Sequence, residues 1–253
     1  MSEMEDNSDP IHDMRVSFKR LKILLQLLEL ISDSDLSAKD ECQSFKKLYK
    51  VSGGLRDVHV QDQILATYID QSGYAYDKYQ EYLRQIIEKR NIKYQKSKED
   101  FDTGFFLDLG EKCSRIINKS NEENIKIETR KLLAIKANLI RKAYHRKDDE
   151  KRFHEIRRYA KELQYLNNIL DNKLPVENEL NIKADRLAEI GQMLGSWHDK
   201  LTAESFLERF LSKFEDSIPD KEDYNNLLAL IREEKNYEYQ QLDKIFIEEI
   251  KIN

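Results

Sequence analysis

Seven glycines and three prolines in 253 residues leave this chain few places at which to turn tightly. A β-rich fold needs a reversal roughly every 8–12 residues, and Gly and Pro supply most of them. Leu, Ile, Lys, Glu and Gln dominate instead, which favours helices. No pair of segments reads as a strand pair. The expected class is all-α, with short connections that make sequential helices antiparallel neighbours in bundles. At 40% apolar residues the chain can build a core, and its length suits one large domain or two small ones.

Punctuation places the helices. Asp9 and Pro10 read as a cap and first turn, with Met14, Phe18, Leu21, Leu25 and Leu28 following at helical spacing over residues 10–32. A second helix is expected over 37–51, stopped by Gly53-Gly54, and the next from Asp57 to Ser72-Gly73. Further helices are expected over 74–98, 103–118, 122–146 and 149–172, the last ended by Leu174-Pro175. Three more follow, over 178–195, over 199–214 with a stop at Ser217-Ile218-Pro219, and from Lys221 to the end.

Charge and cysteine usage narrow the function classes. The formal net charge of −5 weighs against non-specific nucleic-acid binding, which usually draws on a basic excess. Cys42 and Cys113 form no C-x-x-C pair and no disulfide-framework spacing, so both read as reduced thiols. The acidic opening MSEMEDNSDP is unlike a signal or transit peptide, and no run of eighteen residues lacks charge, so a cytoplasmic protein without a membrane span is expected. The five histidines, including His59 and His145, show no H-E-x-x-H or other metal spacing. His198-Asp199 has the look of a catalytic dyad, but no Gly-flanked Ser or activated Cys accompanies it. Phosphate-loop and dinucleotide fingerprints are missing. The expectation is a non-enzyme with no cofactor and no metal. Trp197 reads as a packing residue, and Tyr76, Tyr79 and Tyr82 as packing residues or helix surface.

An internal repeat is the informative feature. HDMRVSFKRLKIL at 12–24 aligns with HEIRRYAKELQYL at 154–166 at an offset of 142, and the same offset brings GGLRDVHVQDQIL at 53–65 onto GSWHDKLTAESFL at 195–207. Eight of the 26 aligned positions are identical, where composition alone gives about two. A duplication follows, with repeats over about 10–147 and 148–253 behind an acidic tail over 1–9. The second copy is shorter, so residues 103–145 lack a full partner and the symmetry is partial. On a helical wheel His12, Arg15, Lys19 and Lys22 fall in one stripe roughly 80° wide, beside an apolar face of Met14, Leu21, Leu25 and Leu28. His154, Arg157 and Lys161 repeat the stripe, beside Ile156, Leu163 and Leu170. Clustered cations repel unless an anion or carboxylates neutralise them, so the stripes are expected to line a groove for an extended anion.

The pattern H-x-x-R-x-x-x-[KR]-[RE]-L, followed some forty residues later by G-x-x-[RH]-D and duplicated in a helical chain, resembles the conserved histidine α-helical domain, or CHAD domain. The resemblance runs from about Pro10 to the C-terminus and implies one domain over 10–253. That domain would comprise two helical bundles related by a pseudo-twofold, around a basic groove or pore that binds inorganic polyphosphate, in some members at polyphosphate granules. It implies phosphate contacts from His12, Arg15, Lys19, Arg20 and Lys22 in the first copy and His154, Arg157, Arg158 and Lys161 in the second. Lys46, Lys47, Lys50 and Arg56 are implied as further contacts, with His198 in the place of Arg56. Asp57 and Asp199 are expected to cap helices or hold a neighbouring cation. The second copy departs from the pattern, with Glu162 for Arg20, Gln164 for Lys22, and Glu189 and Gln192 at the positions of Lys47 and Lys50. That half is less cationic, so a binding surface that is lopsided, or weaker than in basic relatives, is expected. The E-x-E-x-K signature of relatives fused to a triphosphatase tunnel is missing.

The alternative is a helical scaffold using the same stripe against RNA or an acidic partner. Sequence-specific RNA recognition needs aromatics interleaved with the cations, and the stripes hold few.

Overall fold

The structure, a computed structural model, describes residues 9–33, 35–146, 149–169, 184–215, 217–218 and 220–248. Those residues form nine helices and no strand. In chain order they are α1 (Pro10–Ile31), α2 (Ala38–Glu41), α3 (Gln43–Ser72), α4 (Asp77–Glu99), α5 (Phe105–Lys119), α6 (Glu122–Tyr144), α7 (Asp149–Ile169), α8 (Ala184–Lys213) and α9 (Lys221–Glu248). The all-α expectation holds. The helix ends expected at Leu174-Pro175, near 178 and at Pro219, residues 1–8 of the tail, Leu170 and the chain's last five residues lie outside the described residues.

Two expected interruptions are not there. Gly53-Gly54 sits inside α3, and the step between 195 and 199 sits inside α8, so Asp57 and Asp199 are mid-helix residues and cap nothing. A glycine inside a helix costs about 1 kcal/mol against alanine, and packing against its bare backbone has to offset that. At Gly53 the packing partner is a guanidinium. A Cβ there would lie 2.7 Å from Arg15 Nη1. Gly54 likewise offers its carbonyl to Arg90 Nη1.

Other signals hold. Asp9 caps α1 by accepting from the amides of Ile11 and His12 at 3.0 and 3.2 Å, which makes it part of the helix start and not of the tail. α3 ends at Gly73, φ +69°, and Tyr76 also adopts a positive φ, +49°, before α4 begins.

The chain divides into two compact units. Unit 1 comprises residues up to Arg56 and Arg90–Thr129; unit 2 comprises Asp57–Lys89 and Arg130 onward. The divisions fall within α3, α4 and α6, so the compact units do not coincide with the sequence repeats at 147/148. Each copy of the leading motif nonetheless sits in its own unit.

Unit 1 is built on phenylalanines. Phe18 of α1 stacks on Phe45 of α3 at 4.7 Å, with Tyr49, Phe101 and Phe106 around it. Phe18, Leu25 and Leu28 bury the expected side of α1. Met14 and Leu21 are only half-buried, whereas Ile23 and Leu27, on the side of the basic stripe, are fully buried. The stripe therefore ends at Lys22. In unit 2, Ile156 and Leu163 are buried as expected, joined by Phe153, Ala160 and Leu166. Phe153 packs edge-on against Trp197 at 5.4 Å, and Tyr79 and Tyr82 pack on Phe210 at 5.0 and 5.5 Å. Trp197 and Tyr79 are core, and Tyr82 is half-buried.

Candidate functional site

In unit 1 the stripe of α1 meets the first turns of α3. Arg15 Nη1 donates to the Tyr49 carbonyl at 2.7 Å and to Ser52 Oγ at 3.3 Å, and its guanidinium lies 4.5 Å from the centre of the Tyr49 ring. Gly53 is what lets it approach this closely. Arg56 pairs with Asp9 at 2.9 Å, using the carboxylate oxygen that the helix cap leaves free. Lys47 pairs with Asp100 at 2.8 Å on the surface, and Lys46 donates to Gln43 at 3.1 Å. Lys19 and Lys22 are half-buried, while His12, Arg20 and Lys50 are exposed. In this copy Arg56 and Lys47 are thus bound to carboxylates and Arg15 to backbone.

Unit 2 arranges the same motif differently. His154 of α7 and His198 of α8 lie ring to ring at 5.4 Å, 33° from parallel. His198 Nδ1 and Arg157 Nε are buried without a hydrogen-bond partner among the described residues; a carboxylate oxygen of Asp199 lies 3.7 Å from His198 Nδ1. Lys161 lies along α8, with its Cε and Nζ 3.6 Å from where a Cβ of Gly191 would stand, and donates to Gln164 at 3.0 Å. Gly191 occupies the position of Tyr49, so the ring that covers Arg15 has no counterpart over Arg157. At Gly195, the counterpart of Gly53, nothing lies within 4 Å of an added Cβ. Arg158, exposed, leans on its neighbour Tyr159.

The electrostatics follow from this packing. Partial burial lowers the His154 pKa below its usual 6.5, and the nearby charges of His198, Arg157 and Arg158 lower it further; Glu155 opposes them weakly. Lys161 is lowered by burial and then by Arg157. Cations that depress one another are poised to gain from an anion.

The carboxylate that replaces Arg20 does not reduce this charge. Glu162 is turned inward and pairs with Lys136 of α6 at 2.6 Å, both side chains about nine-tenths buried. Glu189 is likewise taken up by Arg186 at 2.7 Å. Sequence reasoning missed Arg90 and Lys136, because their partners lie 36 and 26 residues away with no periodicity to link them. It also missed that Arg15 and Arg56 are anchored. The Gly53-Gly54 pair was the available signal, legible as a bare helix surface once the helix is known to continue.

Among the described residues no group of three or more His, Cys, Asp or Glu side chains is placed to hold a metal ion, and no helix is long and apolar enough to cross a membrane. A family profile described as the CHAD domain matches residues 3–208. The match covers about four-fifths of the chain and stops short of α9, where the resemblance had been expected to extend to the C-terminus. No curated protein and no solved structure matches the chain.

Proposed function

The chain belongs to the CHAD-domain family, and from that premise we propose that it binds inorganic polyphosphate without acting on it chemically. The observation that supports this best is the crowding of His154, Arg157, Lys161 and His198 in unit 2, where partial burial and mutual repulsion hold His154 and Lys161 below their ordinary protonation range. A phosphate chain supplies the missing negative charge. Arginine offers it forked hydrogen bonds and lysine a point charge, roles that need no nucleophile. In unit 1 the exposed His12, Arg20 and Lys50, together with Lys19, Lys22 and Lys46, are the groups proposed to meet the polymer. The proposal extends to a cytoplasmic location with association to polyphosphate granules.

Affinity for such a polyanion comes largely from counterion release, so it falls steeply with salt. Calorimetry with phosphate oligomers of increasing length tests the reading: affinity rises with length until the cationic surface is filled. Equal affinity for orthophosphate and long chains overturns it. Competition between polyphosphate and single-stranded RNA at matched phosphate and fixed salt separates it from the RNA alternative.

A further inference from the structure

Away from the cationic stripes, α5 carries a face that its own unit leaves uncovered. Its inner side packs as amphipathic helices do: Leu109 is buried, Phe105 approaches Phe45 at 6.4 Å, and Lys112 pairs with Glu41 at 2.7 Å. The opposite side mixes apolar residues with Glu111, Ser114, Arg115 and Asn118. Leu107 is 76% exposed, Ile117 48% and Phe106 41%, and between them lie the small residues Gly110 and Ser114. Phe106, Leu107, Gly110, Glu111, Ser114 and Arg115 line an open groove of about 650 Å³. An added Cβ at Gly110 would meet nothing within 4 Å.

Leu107, Gly110, Ser114 and Ile117 recur at intervals of three, four and three, the spacing of a helix–helix seam. Small residues in the middle of a seam let two helix axes come close, with larger apolar side chains closing either end. Charge decides the direction. The first half of α5 carries Asp108 and Glu111, the second half Arg115 and Lys119. A parallel partner of the same sequence sets Glu111 beside Glu111 and Arg115 beside Arg115. An antiparallel one, with its twofold between Gly110 and Ser114, sets Leu107 against Ile117 and Glu111 against Arg115, each contact made twice. Such reciprocity is what a twofold interface requires. The opposed helix dipoles add to it.

We propose that a second copy of this chain covers the face, through an antiparallel α5–α5 contact centred between Gly110 and Ser114. A 15-residue helix is only about 22 Å long, so the contact falls short of the roughly 1,200 Å² typical of stable complexes. The dimer is therefore weak and reversible, half-formed at protein concentrations on the order of 100 µM.

Sedimentation velocity on the full chain, from about 5 µM to about 500 µM, provides the test. The sedimentation coefficient rises with concentration for the wild type. Leu107→Ser and Arg115→Glu each weaken the association at least about tenfold, the latter by placing four carboxylates around the axis. The double exchange Glu111→Arg with Arg115→Glu restores it, since the pairs across the axis are merely reversed. The exchanged residues are exposed, so circular dichroism stays that of the wild type. A wild type monomeric throughout overturns the proposal, as does a dimer indifferent to Leu107→Ser and Arg115→Glu or one that the double exchange fails to rescue.

Discussion

Arg15 and Arg157 hold matching positions in the two copies of one motif, yet their surroundings leave them differently committed. The Arg15 guanidinium is spent inside the protein, hydrogen-bonded to the Tyr49 carbonyl and Ser52 and seated on the bare backbone of Gly53. Around Arg157 the covering ring is gone, because Gly191 stands where Tyr49 would be, and Nε has no hydrogen-bond partner among the described residues. Counting cations ranks the first copy as the stronger binder. Counting commitments narrows the gap, because a cation already satisfied by backbone or carboxylate has less to gain from a phosphate. Affinity for an anion depends on what a charge gives up to bind it as much as on how many charges there are.

The largest effect expected from testing this contrast concerns the second copy's capacity to keep Glu162 out of the stripe. Lys136→Met leaves a buried carboxylate without its partner and costs about 3–5 kcal/mol in urea unfolding, whereas the double change Lys136→Met with Glu162→Leu is close to neutral. A small loss in the single variant would mean that Glu162 finds other cations, including those of the stripe.

Next comes binding itself. Arg157→Ala removes a charge-assisted contact worth about 1.5–3 kcal/mol, so polyphosphate affinity falls by about one to two orders of magnitude. Arg15→Ala weakens binding only a few-fold but lowers stability by about 1–3 kcal/mol through the loss of its own charged hydrogen bonds, Ser52 Oγ still donating to the Tyr49 carbonyl. Equal losses of affinity in the two variants would break the comparison.

The glycines sharpen it at smaller scale. Gly195→Ala has room for its methyl group and raises stability by up to about 1 kcal/mol, a melting shift of about 2–4 °C. Gly53→Ala brings no such gain, because the methyl displaces the Arg15 guanidinium.

The smallest effect is on pH. The folded-state pKa of His154 lies below 6.5, so the unfolded chain binds the proton more readily, and the unliganded protein loses stability as pH falls through 6.5 toward the folded value. A bound polyanion favours the protonated ring and reverses this. Affinity at fixed salt therefore rises about two- to fivefold from pH 7.5 to 5.5, and His154→Gln flattens the rise.

Much of this was legible in the residues alone. The cap at Asp9, the turn at Gly73, the helical period of the stripes and the packing role of Trp197 are all short-range signals, and each was realised. What misled was short-range reasoning applied where a distant group decides. Gly53-Gly54 reads as a stop until a guanidinium from another helix makes the bare surface useful. Glu162 reads as lost positive charge until Lys136, 26 residues earlier, turns it inward. Periodicity finds faces of helices; it does not find which face-to-face partners have already been taken.

Asp9 serves two masters, its one oxygen fastening the amides of Ile11 and His12 and its other holding Arg56. A phosphate that draws Arg56 away leaves that carboxylate facing a second anion, and the opening turn of α1 loosens in response. Hydrogen exchange at those two amides would then quicken as ligand is added, turning the beginning of the first helix into an unlabelled gauge of occupancy.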